Sequence, residues 1–169
     1  MFDFVNYAPE YECEYFPVSY DDISSVEKKF GIEFPSVLKE FYLKHNGRYI
    51  HMTYIDVDDA ECDGEDSYIS VDAILPLVGR NPHPYYSVEA ITEEQIQEGW
   101  IPDNFIPFAI TQGGAYFHWK VDDGKVYIIY DEGTGVDGGW TKYLICSSVE
   151  EMFKRMNEAY EKEINGEIN

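Results

Sequence analysis

The sequence predicts an α+β fold: one domain of mostly antiparallel sheet packed by an N-terminal helix pair and a C-terminal helix. Apolar residues recur at helical spacing near both ends, at Ile23, Val26 and Phe30 and again at Val149, Met152, Phe153, Met156 and Tyr160. Between them lie short runs rich in β-formers, three of them closely spaced from Ile106 to Tyr130. At 169 residues and 44% hydrophobic, the chain can bury one core and is short for two.

Residues 1–18 mix aromatics with acids and alternate loosely, as an edge strand or an extended arm would. Ser19 followed by Asp22 forms a capping box with Asp in place of Glu or Gln, and Asp21 and Asp22 favour the positive end of the helix dipole. This first helix stops at Gly31, where a left-handed residue is wanted. Pro35 suits the first position of a second helix and pushes Phe34 into extended backbone. Leu38, Phe41 and Tyr42 make the second apolar stripe, and Asn46-Gly47 supplies a left-handed exit. Tyr49 to Val57 reads as a strand, an acidic insert from Asp56 to Asp66 loops out, and Tyr68 to Val78 resumes extended structure. Asn81-Pro82-His83-Pro84 is a loop, because two prolines so close forbid regular pairing. Thr92 with Gln95 is a capping box for a short helix ending at Gly99. Strands follow at about 106–110, 115–121 and 125–130, the last two joined by the tight turn Asp123-Gly124. Gly133 to Gly139 is a loop, Tyr143 to Cys146 a strand, and Ser148 with Glu151 caps the closing helix.

Taken together, Ile23-x-x-Val26-Glu27-x-x-Phe30-Gly31-Ile32-x-Phe34-Pro35, Leu38-x-x-Phe41-Tyr42 and Asn46-Gly47 resemble the opening motif of the SUKH superfamily. That superfamily includes Smi/Knr cell-wall-assembly regulators of yeast and many small bacterial immunity proteins. Further matches follow in order: Trp100-Ile101-Pro102, Phe105-Ile106-Pro107-Phe108-Ala109, Gly113 to Trp119, Gly124-Lys125-Val126-Tyr127 with Asp131, and Glu150-Glu151-Met152-Phe153. The likeness runs from about residue 19 to 160 of a single domain spanning 1–169, and order and spacing carry it. The acidic insert is not prescribed by the pattern.

Twelve basic and 33 acidic side chains leave a formal charge of −21. Between Tyr49 and Trp119 the one Lys or Arg is Arg80, against thirteen acids, so the middle of the chain is a negative field. Nucleic acid and anionic membrane are thereby excluded as partners. Cys13, Cys62 and Cys146 show no C-x-x-C spacing, which argues for reduced, cytosolic thiols rather than a disulfide frame or a zinc knuckle. No basic segment followed by an apolar run opens the chain and no stretch is long enough to cross a bilayer, so a cytoplasmic protein is expected.

The insert invites an EF-hand reading, with Asp59, Glu61 and Asp63 at the first ligand positions. Ser70 then falls where a bidentate Glu belongs, and the flanks read as strands. His45, His51, His83 and His118 share no ligand spacing, and His118, between Phe117 and Trp119, reads as a hydrogen-bonded histidine at the sheet edge. No base accompanies any cysteine. Asp131-Glu132 as a hydrolytic carboxylate pair is a chance pair in so acidic a chain, and Gly133-x-Gly135 lacks the Gly-Lys-Ser/Thr of a phosphate loop. No cofactor, metal or catalytic residue is expected.

Two functional readings come from the resemblance. It implies an immunity protein that binds a toxin domain, and the charge adds that the toxin is basic, of the nuclease kind, met through an acidic surface. It also admits a scaffold for cell-wall or glucan synthesis, although those relatives carry long disordered flanks. A carboxylate hydrolase would need a deep cleft holding an acid of raised pKa. The expected partner-binding residues are Asp56, Asp58, Asp59, Glu61, Asp63, Glu65, Asp66, Asp131, Glu132 and Asp137, with Trp140 as an aromatic anchor at a loop end.

Overall fold

The computed structural model describes residues 16–59, 67–78, 86–102, 104–131 and 140–166. Its first elements are the expected helix pair, α1 (Tyr20–Phe30) and α2 (Ser36–His45). The capping box is complete despite the shorter Asp: the Asp22 carboxylate accepts from the Ser19 N–H at 2.7 Å while the Ser19 hydroxyl accepts from the Asp22 N–H at 3.2 Å. Gly31 closes α1 at φ +67°. Pro35 stands one residue before α2, its carbonyl accepting from Leu38 and Lys39. Glu27 locks the elbow between the helices, accepting from the Phe34 N–H at 2.8 Å and pairing with Lys39 Nζ at 2.8 Å.

The exit from α2 does more than turn. Gly47 alone is left-handed, at φ +76°, and a Cβ there would enter the Phe16 ring. Asn46 is extended at φ −54°, ψ 122° and wholly buried. Its Nδ2 donates to the carbonyls of Phe16 at 2.8 Å and Leu77 at 3.2 Å, and its Oδ1 accepts from the Leu77 N–H at 2.8 Å. One side chain thus ties the helix pair to two distant segments, because buried backbone groups need partners. Of the expected N-terminal arm, residues 1–15 lie outside the described residues, while Phe16 donates its N–H to Asn46 O at 3.2 Å.

Seven strands follow: β1 (Thr53–Asp56), β2 (Tyr68–Val71), β3 (Ala73–Ile74), β4 (Phe105–Ile110), β5 (Tyr116–Lys120), β6 (Val126–Asp131) and β7 (Trp140–Cys146). β3 to β7 form one antiparallel sheet in chain order, and β1 and β2 form a separate two-stranded ribbon. The ribbon touches both edges of the larger sheet. After β2 the chain steps across at Asp72, whose N–H reaches Ile110 O at 2.9 Å, and β3 joins β4. After β1 the Asp58 N–H reaches Ile145 O of β7, also at 2.9 Å. Edge strands that would otherwise invite foreign pairing are in this way partly covered.

Side-chain alternation assigns the two faces of the sheet. Phe117 and Trp119 of β5 point into the main core with Ile106, Phe108, Val126 and Ile128. There α1, α2 and α4 (Val149–Ile164) cover them, with Phe34 against Trp119 at 6.1 Å and Phe41 against Phe153 at 5.5 Å between ring centroids. His118 points the other way, toward Gln95 of α3 (Val88–Gln97), where a smaller cluster of Ile101, Phe105 and Ile129 covers the opposite face, while Val88 and Ile91 of α3 join the main core. The helix layers are therefore two.

Two expectations are corrected here. α3 begins at Val88 with Ser87 as its cap, accepting from the Ala90 N–H at 3.2 Å. Thr92 and Gln95 lie inside the helix, where the Thr92 hydroxyl donates to Val88 O and Gln95 meets His118. Ser87 lacks a Glu or Gln three residues on, so the decoy Thr92-x-x-Gln95 had the stronger pattern. His118 is not at an edge either: β5 is the central strand and the imidazole is buried.

Candidate partner-binding surface

Strand alternation gives the ribbon an inner and an outer side. Thr53, Ile55 and Val71 are buried, so Tyr54, Asp56, Tyr68 and Ser70 share the outer face, with Tyr54 opposite Ser70 and Asp56 opposite Tyr68. Tyr54 is 55% and Tyr68 58% exposed. Between this face and α4 runs an open groove of about 540 Å³, lined by both tyrosines, Asp56, Arg155, Glu158 and Lys162. The acidic insert connects the two strands of the same ribbon.

Some of the predicted acids are absorbed by the fold. Asp58 pairs with Arg155 at 2.8 Å, and Arg155 also bonds Glu151 Oε1 at 3.1 Å, Asp56 O at 2.8 Å and Ile145 O at 3.3 Å. One guanidinium so joins β1, β7 and α4, using the fork that lysine lacks. Burial opposes its charge, but the bonds to Asp58 and Glu151 outweigh this and raise its pKa. The half-buried Asp59 accepts from the Leu144 N–H of β7 at 3.1 Å. Of this group, Asp56 directs its carboxylate side to solvent and offers only its carbonyl to Arg155.

Asp131 and Trp140 are backbone partners where β6 meets β7. Trp140 lies four residues along β7 from Leu144, about 13 Å at strand rise. The chain around Asp58 and Asp59 and the pair Asp131 and Trp140 therefore flank one edge strand from its two ends. Glu61, Asp63, Glu65, Asp66, Glu132 and Asp137 lie outside the described residues. Tyr54 and Tyr68 are not among the residues expected from the sequence to meet a partner. The alternation of Tyr54 and Asp56 with Thr53 and Ile55 was the signal that marked them as outward.

The remaining titratable groups serve packing. Burial lowers the His118 pKa to about 3, so the ring is neutral, with Nε2 3.0 Å from Gln95 Oε1. Burial raises the Cys146 thiol to about 12, and its Sγ donates to Ser148 O. Glu89, 7% exposed, has a pKa raised by burial and borders a second groove of about 340 Å³ with Asp22, Ser25 and Lys29. Both its oxygens accept from the Val78 N–H, at 3.0 and 3.1 Å, while Asp22 caps α1. These two acids hold backbone in place. Among the described residues no cluster of three metal-ligating side chains occurs and no helix is long and apolar enough to cross a membrane.

A family model described as SMI1 / KNR4 family (SUKH-1) matches residues 17–155. No individual curated protein matches the chain.

Proposed function

The chain belongs to the SMI1 / KNR4 family (SUKH-1), and from that membership we propose that it is a non-enzymatic immunity protein of the cytoplasm. Family members act typically through protein–protein contact, and an immunity-type role fits the family in general. Its partner is a cognate toxin domain with a basic, nuclease-like substrate face, which it neutralises by occupying that face with its acidic surface.

The observation that carries this reading is the distribution of charge. A net −21, with a single Arg among the residues from Tyr49 to Trp119, is a potential suited to capturing a cationic protein and imitating a phosphate backbone. Opposite potentials raise association above the neutral range of about 10⁵ to 10⁶ M⁻¹s⁻¹ and do so less as salt screens them. The proposed contact residues are Asp56, Glu61, Asp63, Glu65, Asp66, Asp131, Glu132, Asp137 and Trp140, with Asp58 and Asp59 adding their charge to the field while Arg155 and the Leu144 N–H hold them.

Co-expression with the product of the neighbouring gene tests it. Rescue from killing together with co-purification, and an association rate that drops steeply between 50 and 500 mM salt (about a Debye length shrinking several-fold), is the expected result. Absence of both rescue and complex would remove the proposal, and a rate indifferent to salt would remove its electrostatic part.

A further inference from the structure

We infer that the groove between α4 and the β1–β2 ribbon is a receptor for an arginine side chain, with the guanidinium lying over the rings of Tyr54 and Tyr68 and meeting the carboxylates of Asp56 and Glu158. This rests on the reading above that the partner is a basic protein, but on a separate observation.

That observation is two large aromatic side chains held open on a short ribbon. Among the described residues neither ring stacks on another, although the remaining ribbon side chains at Thr53, Ile55 and Val71 are buried. The register places Tyr54 and Tyr68 as diagonal neighbours on one face, a separation of about 7 Å. That spacing is between their backbone positions, and it leaves both rings within reach of one flat group laid across the face. A guanidinium is such a group and stacks on aromatic faces, whereas an ammonium is a compact, strongly hydrated charge.

The charges lining the groove point the same way. Arg155 is already engaged by Glu151, Asp58 and two carbonyls, so its charge is compensated. Asp56 and Glu158 are exposed, and Glu158 contacts Lys154 only at 3.8 Å. Lys162 opposes a cationic guest, at the end of a helix whose acids outnumber its bases. An acidic or purely apolar occupant would face the carboxylates of Asp56 and Glu158 unpaired.

The test uses the full chain and two fluorescein-labelled peptides, four Arg-Gly repeats and four Lys-Gly repeats, titrated by fluorescence anisotropy at low salt. The arginine peptide is expected to bind at least about threefold more tightly and to shift the ring NMR signals of Tyr54 and Tyr68. Tyr54→Ala and Tyr68→Ala should each weaken it by about five- to thirtyfold at unchanged net charge, Tyr54→Phe should retain most binding, and Lys162→Glu should strengthen it. Equal affinity for both peptides, or indifference to both alanine changes, would reduce the groove to general charge attraction and overturn the inference. So would a dimer of this chain that Tyr54→Ala dissolves, since a second copy would then be the occupant.

The two readings fail separately. If the wild-type chain rescues cells from the neighbouring toxin and the Tyr54→Ala, Tyr68→Ala double variant rescues equally, the groove is wrong and the immunity role stands. If the wild type does not rescue, the role falls and the peptide arm alone decides the groove.

Discussion

The elbow between α1 and α2 and the ribbon of β1 and β2 are similar in size and opposite in how they use polar side chains. In the elbow Glu27 accepts from Phe34 and pairs with Lys39, and at the exit of α2 Asn46 satisfies Phe16 and Leu77 together. Its polar groups are spent inward. At the ribbon the chain after β1 is equally committed, through Asp58 with Arg155 and Asp59 with Leu144, yet the outer face leaves Tyr54, Asp56 and Tyr68 to solvent. Burying polar groups without partners is costly, so the elbow must be self-sufficient, whereas aromatic area left on one face stays open to a covering partner. The contrast separates acids that build the fold from acids available to a partner.

Four perturbations would break or sharpen that contrast, and the largest concerns the core. His118 has a folded pKa of about 3 against an ordinary 6.5, so the unfolded chain binds a proton that the folded chain refuses. Stability from this group is present above pH 6.5 and is lost as pH falls toward 3, by on the order of 4 kcal/mol. Urea titrations across that window should show the decline in the wild type and a flatter profile in His118→Gln. Next, Asn46→Ala leaves the Leu77 N–H and two carbonyls buried without their partner, and should cost about 3 kcal/mol in the same assay. A loss below about 1 kcal/mol would mean the elbow does not depend on its buried amide.

Arg155→Ala comes third. Its ion pairs are partly exposed, so the screened electrostatic share is small, and the expected cost of about 2 kcal/mol comes mainly from the two backbone carbonyls it serves. Hydrogen exchange should rise at Leu144 and in β1 if the ribbon is held against β7 as described. The smallest effect is the most telling. Tyr54→Ala and Tyr68→Ala should change unfolding free energy by no more than about 0.5 kcal/mol, because neither ring is packed. A cost near 2 kcal/mol would show the outer face to be structural after all.

Local signals were legible in the chain. The Ser19 and Ser148 caps, Gly31 and the Pro35 start involve contacts within a few residues, and each appears where its pattern placed it, to within a residue. The turn at Asp123-Gly124 is wider than a two-residue hairpin, the Lys120 N–H reaching Lys125 O across four residues with Gly124 at φ +76°. The start of α3 was misread because a cap is a local pattern and Thr92-x-x-Gln95 imitates one. His118 was placed at an edge because strand order is not a local property.

By itself the sequence determined the family, the α+β class, the negative field and the helix boundaries set by glycine, proline and capping side chains, since these depend on near neighbours or on composition. Tertiary structure alone decided that α3 covers the second face of the sheet, that the ribbon bridges β3 and β7, and that Asn46 serves backbone 30 and 31 residues away. It alone also divided the acids, because whether a carboxylate meets Arg155, an N–H or solvent is settled by partners as many as 97 residues away.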